Sequence, residues 1–278
     1  MKRILGLLLA LLILGLFPMS APAADEAPAV LALLEIRGLD SLAKTGSELS
    51  QAFGNPTPQE AISLLLHNAL GTMPGLGIPP DSTVRAIAFH SDSVRGGWAV
   101  LLPVADDGAA YLGSLAQNGW RSEAETADEI LHFVAPAGGP IPLKDVYFLK
   151  REATLVAAGS ARDVRRADAA RLDLPPILPA EGDVVLQIRP AALAETYGPQ
   201  IAEKMGAGFR NPQMPADAAA MGALYAQAYL AAARQIEECV LGFGVANGNL
   251  NLHARVAPVP GTAFARWVAT VQPPAAAA

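Results

Sequence analysis

The chain has 278 residues, 52% of them apolar and 17% charged, with a formal charge of −6 and one cysteine, Cys239. That supply of apolar residues is ample for an ordinary hydrophobic core, and a lone cysteine excludes an intramolecular disulfide. The acidic balance argues against nucleic acid or an anionic membrane as the main partner.

Lys2 and Arg3 form a short basic start, Ile4 to Phe17 is an apolar run of 14 residues, and Pro18 ends it. Ala21-Pro22-Ala23 then places small residues at −3 and −1 of a peptidase site, which completes the order of a cleaved export signal. The run is short of the roughly 20 residues that cross a bilayer. Residues 1–23 are therefore expected to be removed, leaving about 255 residues in the periplasm or outside the cell, enough for one large or two modest domains. Cleavage removes two cations and no acid, which takes the formal charge to −8. Cys239 is far from the signal, so no acyl anchor is expected, and no later segment reads as a membrane span.

A first α+β unit with a β-rich insert is expected over residues 24–171. It opens on the strand Leu33-Leu34-Glu35-Ile36-Arg37. A helix follows with apolar spacing at Leu39, Leu42, Leu49 and Phe53, then a second, Gln59 to Leu70, with Ile62, Leu65, Leu66 and Ala69 on one face. Thr57 reads as the cap of that second helix, with Pro58 at its first position. Ala86 to Phe89 and Trp98 to Val104 form a hairpin around Gly96-Gly97, and Gly108 opens a helix beginning Ala109-Ala110-Tyr111-Leu112. In the insert, 119–171, strands are expected at Trp120 to Ala124, Ile130 to Val134, Asp145 to Lys150 and Thr154 to Ala158. A basic amphipathic helix, Ser160 to Arg171, follows with Ser160 as its cap. This ββα run looks like a partial third copy of the hairpin and helix. Residues 172–182 hold three prolines and form the linker, a second α+β unit spans 183–272, and 273–278 is a low-complexity tail expected to be disordered.

The second unit repeats the first. Val185-Leu186-Gln187-Ile188-Arg189 matches Leu33 to Arg37, and Leu193 to Thr196 matches Leu42 to Thr45. Val240 to Phe243 and Leu250 to Val256 match the hairpin strands, with Asn247-Gly248-Asn249 as the turn, and Gly261 opens the closing helix as Gly108 does. The offset stays between 151 and 154 residues. The expected fold is α+β: two pseudo-repeated β-α-α-β-β-α units, with mainly antiparallel sheet and helices on one face. Phe89 and Phe243 are expected at equivalent core positions, as are Tyr111 and Phe264.

Catalytic chemistry finds no motif. No G-x-S-x-G is present, and Gly159-Ser160 reads as a helix cap. The histidines His67, His90, His132 and His253 are far apart in sequence, and His90-x-Asp92 alone is two ligands without a third. Adjacent Glu237 and Glu238 point to opposite faces of a strand, and Asp106-Asp107 precede a helix, whose positive end they suit. Gly75-Leu76-Gly77 runs into Pro79-Pro80, which forbids a dinucleotide fold. No catalytic residue, metal ligand or cofactor is assigned. Two features suit binding. Residues 218–233 carry no charge, inside a helix expected from Ala216 to Glu238, with Met221, Leu224, Tyr225 and Ala228 on one face and Tyr229 and Ala233 toward another. The loop from Gly206 to Pro215 adds Phe209 and Met214. Phe209, Met214, Met221 and Tyr225 are the candidate contact residues.

The pattern of Leu33 to Leu42, Met73-Pro74-Gly75-Leu76-Gly77-Ile78, Val84 to Phe89 and Val100 to Leu115 resembles a group of uncharacterised exported bacterial proteins of planctomycete and verrucomicrobial type. The resemblance covers most of the mature chain and implies a duplicated α+β body in the cell envelope, with no known activity to carry over. Three functions compete: a non-catalytic envelope protein that binds a protein or another envelope component, a carrier of a small apolar ligand, and an enzyme assembled from distant residues such as His90, Asp92 and His132.

Overall fold

The structure is a computed structural model that describes residues 30–90, 97–123, 129–136, 145–171, 174, 182–208, 218–246 and 249–271. The expected export signal, the expected tail, most of the expected linker, Gly96, Asn247, Gly248, Asp92, Phe209 and Met214 lie outside the described residues. The fold is α+β. Among the described residues, ten strands form one sheet and seven α-helices accompany it.

In chain order the elements are β1 (Val30–Arg37), α1 (Leu39–Ala52), α2 (Gln59–Ala69), β2 (Thr83–Phe89), β3 (Gly97–Pro103) and α3 (Ala109–Gln117). The insert supplies β4 (Arg121–Glu123), β5 (Ile130–Val134), β6 (Asp145–Arg151), β7 (Thr154–Ala158) and α4 (Ala161–Ala170). Then come β8 (Val184–Ile188), α5 (Pro190–Gly208), α6 (Ala218–Ala233), β9 (Ile236–Ala246), β10 (Asn249–Pro258) and α7 (Ala263–Thr270). The strand order is β10-β9-β8-β1-β2-β3-β7-β6-β5-β4. Every pair from β1 through β7 to β4 is antiparallel. The end of β1 meets the start of β8, where the Arg37 amide donates to the Asp183 carbonyl at 2.7 Å.

Strand alternation sends successive side chains to opposite faces, so each face has its own core. On one, Leu39 of α1 and Tyr111 and Leu115 of α3 pack over Val84, Leu102, Phe148 and Leu155. Tyr111 and Phe133 both meet the Phe148 ring edge-on, at centroid distances of 6.1 and 5.6 Å. On the other, Val164 and Ala167 of α4 cover Leu33, Ile87, Ala99, Leu101, Val156 and Ala158. Helices on one face only was the expectation. The insert overturns it, because Val164 and Ala167 recur on the inner side of α4 and need a second apolar face to bury them.

The helix faces also differ from their expected rotation. In α1 the buried residues are Leu39, Ala43, Thr45 and Ser50, while Phe53, the helix C-cap, is 81% exposed. In α2 they are Ile62, Ser63, Leu66 and His67, and Leu65 faces solvent. Pro58 is the N-cap of α2, and the Thr57 amide donates instead to Ser50 Oγ at 2.7 Å. The first turn of α3 approaches the loop carrying Gly77 so closely that a Cβ there would lie 2.6 Å from the Tyr111 backbone, and its φ of +76° suits glycine alone.

The described residues fall into two compact units: Met1–Leu186 with Leu241–His253, and Gln187–Val240 with Ala254–Ala278. Within the second, α5 and α6 pack together around buried Ala194, Tyr197, Ala226 and Leu230. The order β-α-α-β-β-α occurs at the start and again at the end of the chain. The paired aromatics differ in depth: Phe89 and Tyr111 are buried, Phe243 and Phe264 half-buried.

Candidate functional site

The uncharged segment 218–233 is α6, which ends at Ala233; Ile236 already belongs to β9, so a helix running to Glu238 is corrected. The Arg234-Gln235 turn stops it, and β-branched Ile236 and Val240 flank a strand that takes up the rest. Gly222, Ala226 and Leu230 recur every four residues and form the buried stripe. The flank of that stripe presents Met221 (45% exposed), Tyr225 (55%) and Tyr229 (60%), with Leu224 (60%) further round. Met221, Tyr225 and Tyr229 make an i, i+4, i+8 row, with Leu224 and Ala228 beside it. Of the candidate contact residues, Met221 and Tyr225 thus stand on one exposed ridge.

Polar groups that could do chemistry are spread over the fold. His90 ends β2 and His132 lies on β5, with three strands between them, so at the ordinary strand spacing they are about 19 Å apart. His132 instead sits between two carboxylates, Nδ1 at 3.0 Å from Glu123 and Nε2 at 3.1 Å from Asp145, and stacks on Tyr147 at 4.3 Å. The carboxylates meet opposite ring nitrogens, so the three cannot share one metal ion. Among the described residues, no group of three or more His, Cys, Asp and Glu is placed to hold a metal. His67 is buried in α2 and donates from Nδ1 to the Ser63 carbonyl at 2.9 Å, a bond internal to the helix. Ser160 caps α4: its Oγ accepts from the Asp163 amide at 3.1 Å and donates to Asp163 Oδ2 at 2.8 Å. Both bonds go to Asp163 in the same first turn, which is the geometry of a helix cap. Cys239 is half-buried in β9, and burial pushes its thiol pKa up, which makes it a poorer nucleophile. Gln187 donates to Glu238 from the neighbouring strand.

Two clusters that sequence reading missed join arginines to a shared carboxylate. Glu35, 6% exposed, holds Arg37 Nε at 2.7 Å and Arg85 Nε at 3.0 Å. Asp168 holds Arg151 Nε at 2.8 Å and Arg171 Nε at 2.6 Å. Only the alternation of Glu35 within an apolar strand could have hinted at the first.

Comparison of the chain with protein-family models, with curated proteins and with solved structures finds no match in any of the three. Among the described residues, no helix is long and apolar enough to cross a membrane.

Proposed function

We propose that this is a non-catalytic exported protein of the cell envelope that binds another protein through the exposed ridge of α6. The observation that carries the reading is the pairing of a charge-free helix with four large apolar side chains turned to solvent. Tyrosine and methionine are enriched in protein interfaces, and a row at i, i+4, i+8 is the ridge that a partner helix seats in its groove. The partner is accordingly a protein with an amphipathic helix. Nucleic acid and anionic lipid are disfavoured by a ridge without a cation on an acidic chain. The helix pair of the first unit has the same character, since Phe53 at the end of α1 and Leu64 and Leu65 of α2 are also exposed. We read that likeness as part of an ancestral duplication of the β-α-α-β-β-α order.

The test compares the mature protein with its Leu224→Glu and Tyr225→Ala variants in capture from envelope extract, followed by titration of the purified partner. Loss of a central interface aromatic weakens binding by about 2 kcal/mol or more, which is more than tenfold. Both variants should keep the parent melting temperature, since these side chains are outside the core. Equal binding by parent and variants, or a catalytic turnover with no retained partner, overturns the proposal.

A further inference from the structure

A cavity of about 140 Å³ opens on the sheet face that α4 covers. Thr83 and Arg85 of β2, Leu101 and Pro103 of β3 and Thr154 of β7 form its floor, and Arg171 and Leu174, just beyond α4, form its wall. The strand register explains the convergence. Arg85 stands opposite Leu101, and Pro103 opposite Thr154, so these side chains share one face at one end of three adjacent strands.

Two cations line the cavity. Arg85 belongs to the Glu35 cluster and Arg171 to the Asp168 cluster described above, and in each one carboxylate is met by two guanidinium groups. Each arginine contacts its carboxylate through Nε and has four further N–H donors on its Nη atoms. Arg171 is also the C-cap of α4, where the partial negative charge of the helix end favours a cation and holds it at the wall. The two threonine hydroxyls add neutral donors, while Leu101, Pro103 and Leu174 keep one side apolar, which strengthens the electrostatics inside. The volume is below the ~300 Å³ at which sites for drug-sized ligands begin.

We propose that this cavity binds a phosphate group, either as the free ion or as the charged end of a larger molecule. Guanidinium forks match phosphate geometry, and a phosphate group brings about −1.5 to −2 charges at neutral pH and three acceptor oxygens to two arginines, where a monocarboxylate brings one charge and two oxygens. This site is independent of the α6 ridge, and its test does not depend on that reading.

Calorimetric titration of the mature protein with inorganic phosphate at constant ionic strength should give saturable one-site binding, and acetate should bind at least tenfold more weakly. Arg171→Gln should weaken phosphate binding by about tenfold or more, the loss of one charged contact. Should Arg171→Gln fail to fold, Thr83→Val, which removes no charge from either ion cluster, should still weaken phosphate binding severalfold. Vesicles carrying phosphatidic acid, compared with phosphatidylcholine vesicles, separate the two sources: binding to the former alone assigns a lipid headgroup, and binding to free phosphate alone assigns the ion. Absence of saturable binding to phosphate and to both vesicles overturns the proposal. So does binding that Thr83→Val leaves unchanged, or acetate binding as tight as phosphate.

Discussion

Tyr111 shows how one side chain couples the fold to pH. It is buried, and its hydroxyl donates to the Leu70 carbonyl at 2.6 Å, tying α3 to the end of α2. Burial raises its phenol well above the ordinary value near 10. Its contribution is therefore complete below about pH 10 and is lost as pH climbs toward the raised value, because the unfolded chain ionises first, at up to about 1.4 kcal/mol per pH unit. Urea unfolding between pH 9 and pH 11 should show that slope, and Tyr111→Phe should flatten it at a cost of about 1 kcal/mol at neutral pH. Part of the slope should remain, since the Tyr147 phenol is also raised, by burial first and then by Asp145 and Glu123. Glu35 is the other sensitive residue. Replacing it with alanine leaves Arg37 and Arg85 without their shared acceptor, but both keep access to water. The expected cost is about 1–3 kcal/mol, read as a lower urea midpoint with an unchanged slope.

At the level of elements, α4 offers a clean measurement. Ser160→Ala removes the one side chain that caps its amide end, and should cost about 1 kcal/mol in a urea titration. This cap was legible in the sequence, as were Ile130–Val134 and Thr154–Ala158 to the residue, because short β-rich runs flanked by polar turns carry their own boundaries. Helix rotation was less legible. Leucines in α1 and α2 suggested one stripe, but Ala43, Thr45, Ser50 and Ser63 occupy the tight inner positions and push Leu65 and Phe53 outward. In α6 the problem is contrast: when nearly every residue is Ala, Leu, Met or Tyr, periodicity cannot say which side is inside. The arginine clusters were invisible for another reason, since Glu35 and Arg85 meet only because β1 and β2 pair in one particular register.

Across the whole molecule, the two edges of the sheet are treated differently. β4 is three residues long, Arg121-Ser122-Glu123, all exposed and two charged, which blunts its edge. β10 runs for ten residues and exposes Leu250, Leu252 and Val256. An apolar edge of that length invites strand pairing between chains. Leu252→Lys should therefore suppress aggregation during slow heating, measured by light scattering, without lowering the urea midpoint. The strand order has a further consequence for how the chain reaches its fold. The β1–β8 pair joins segments about 150 residues apart, so that junction in the sheet carries its largest loop-closure entropy. High contact order of this kind belongs to folding in milliseconds to seconds rather than microseconds. Until β8 emerges, β1 is paired on one side alone, by β2, and a chain halted before residue 184 would hold its other side as a raw edge. The last three strands of the chain thus build outward from its first.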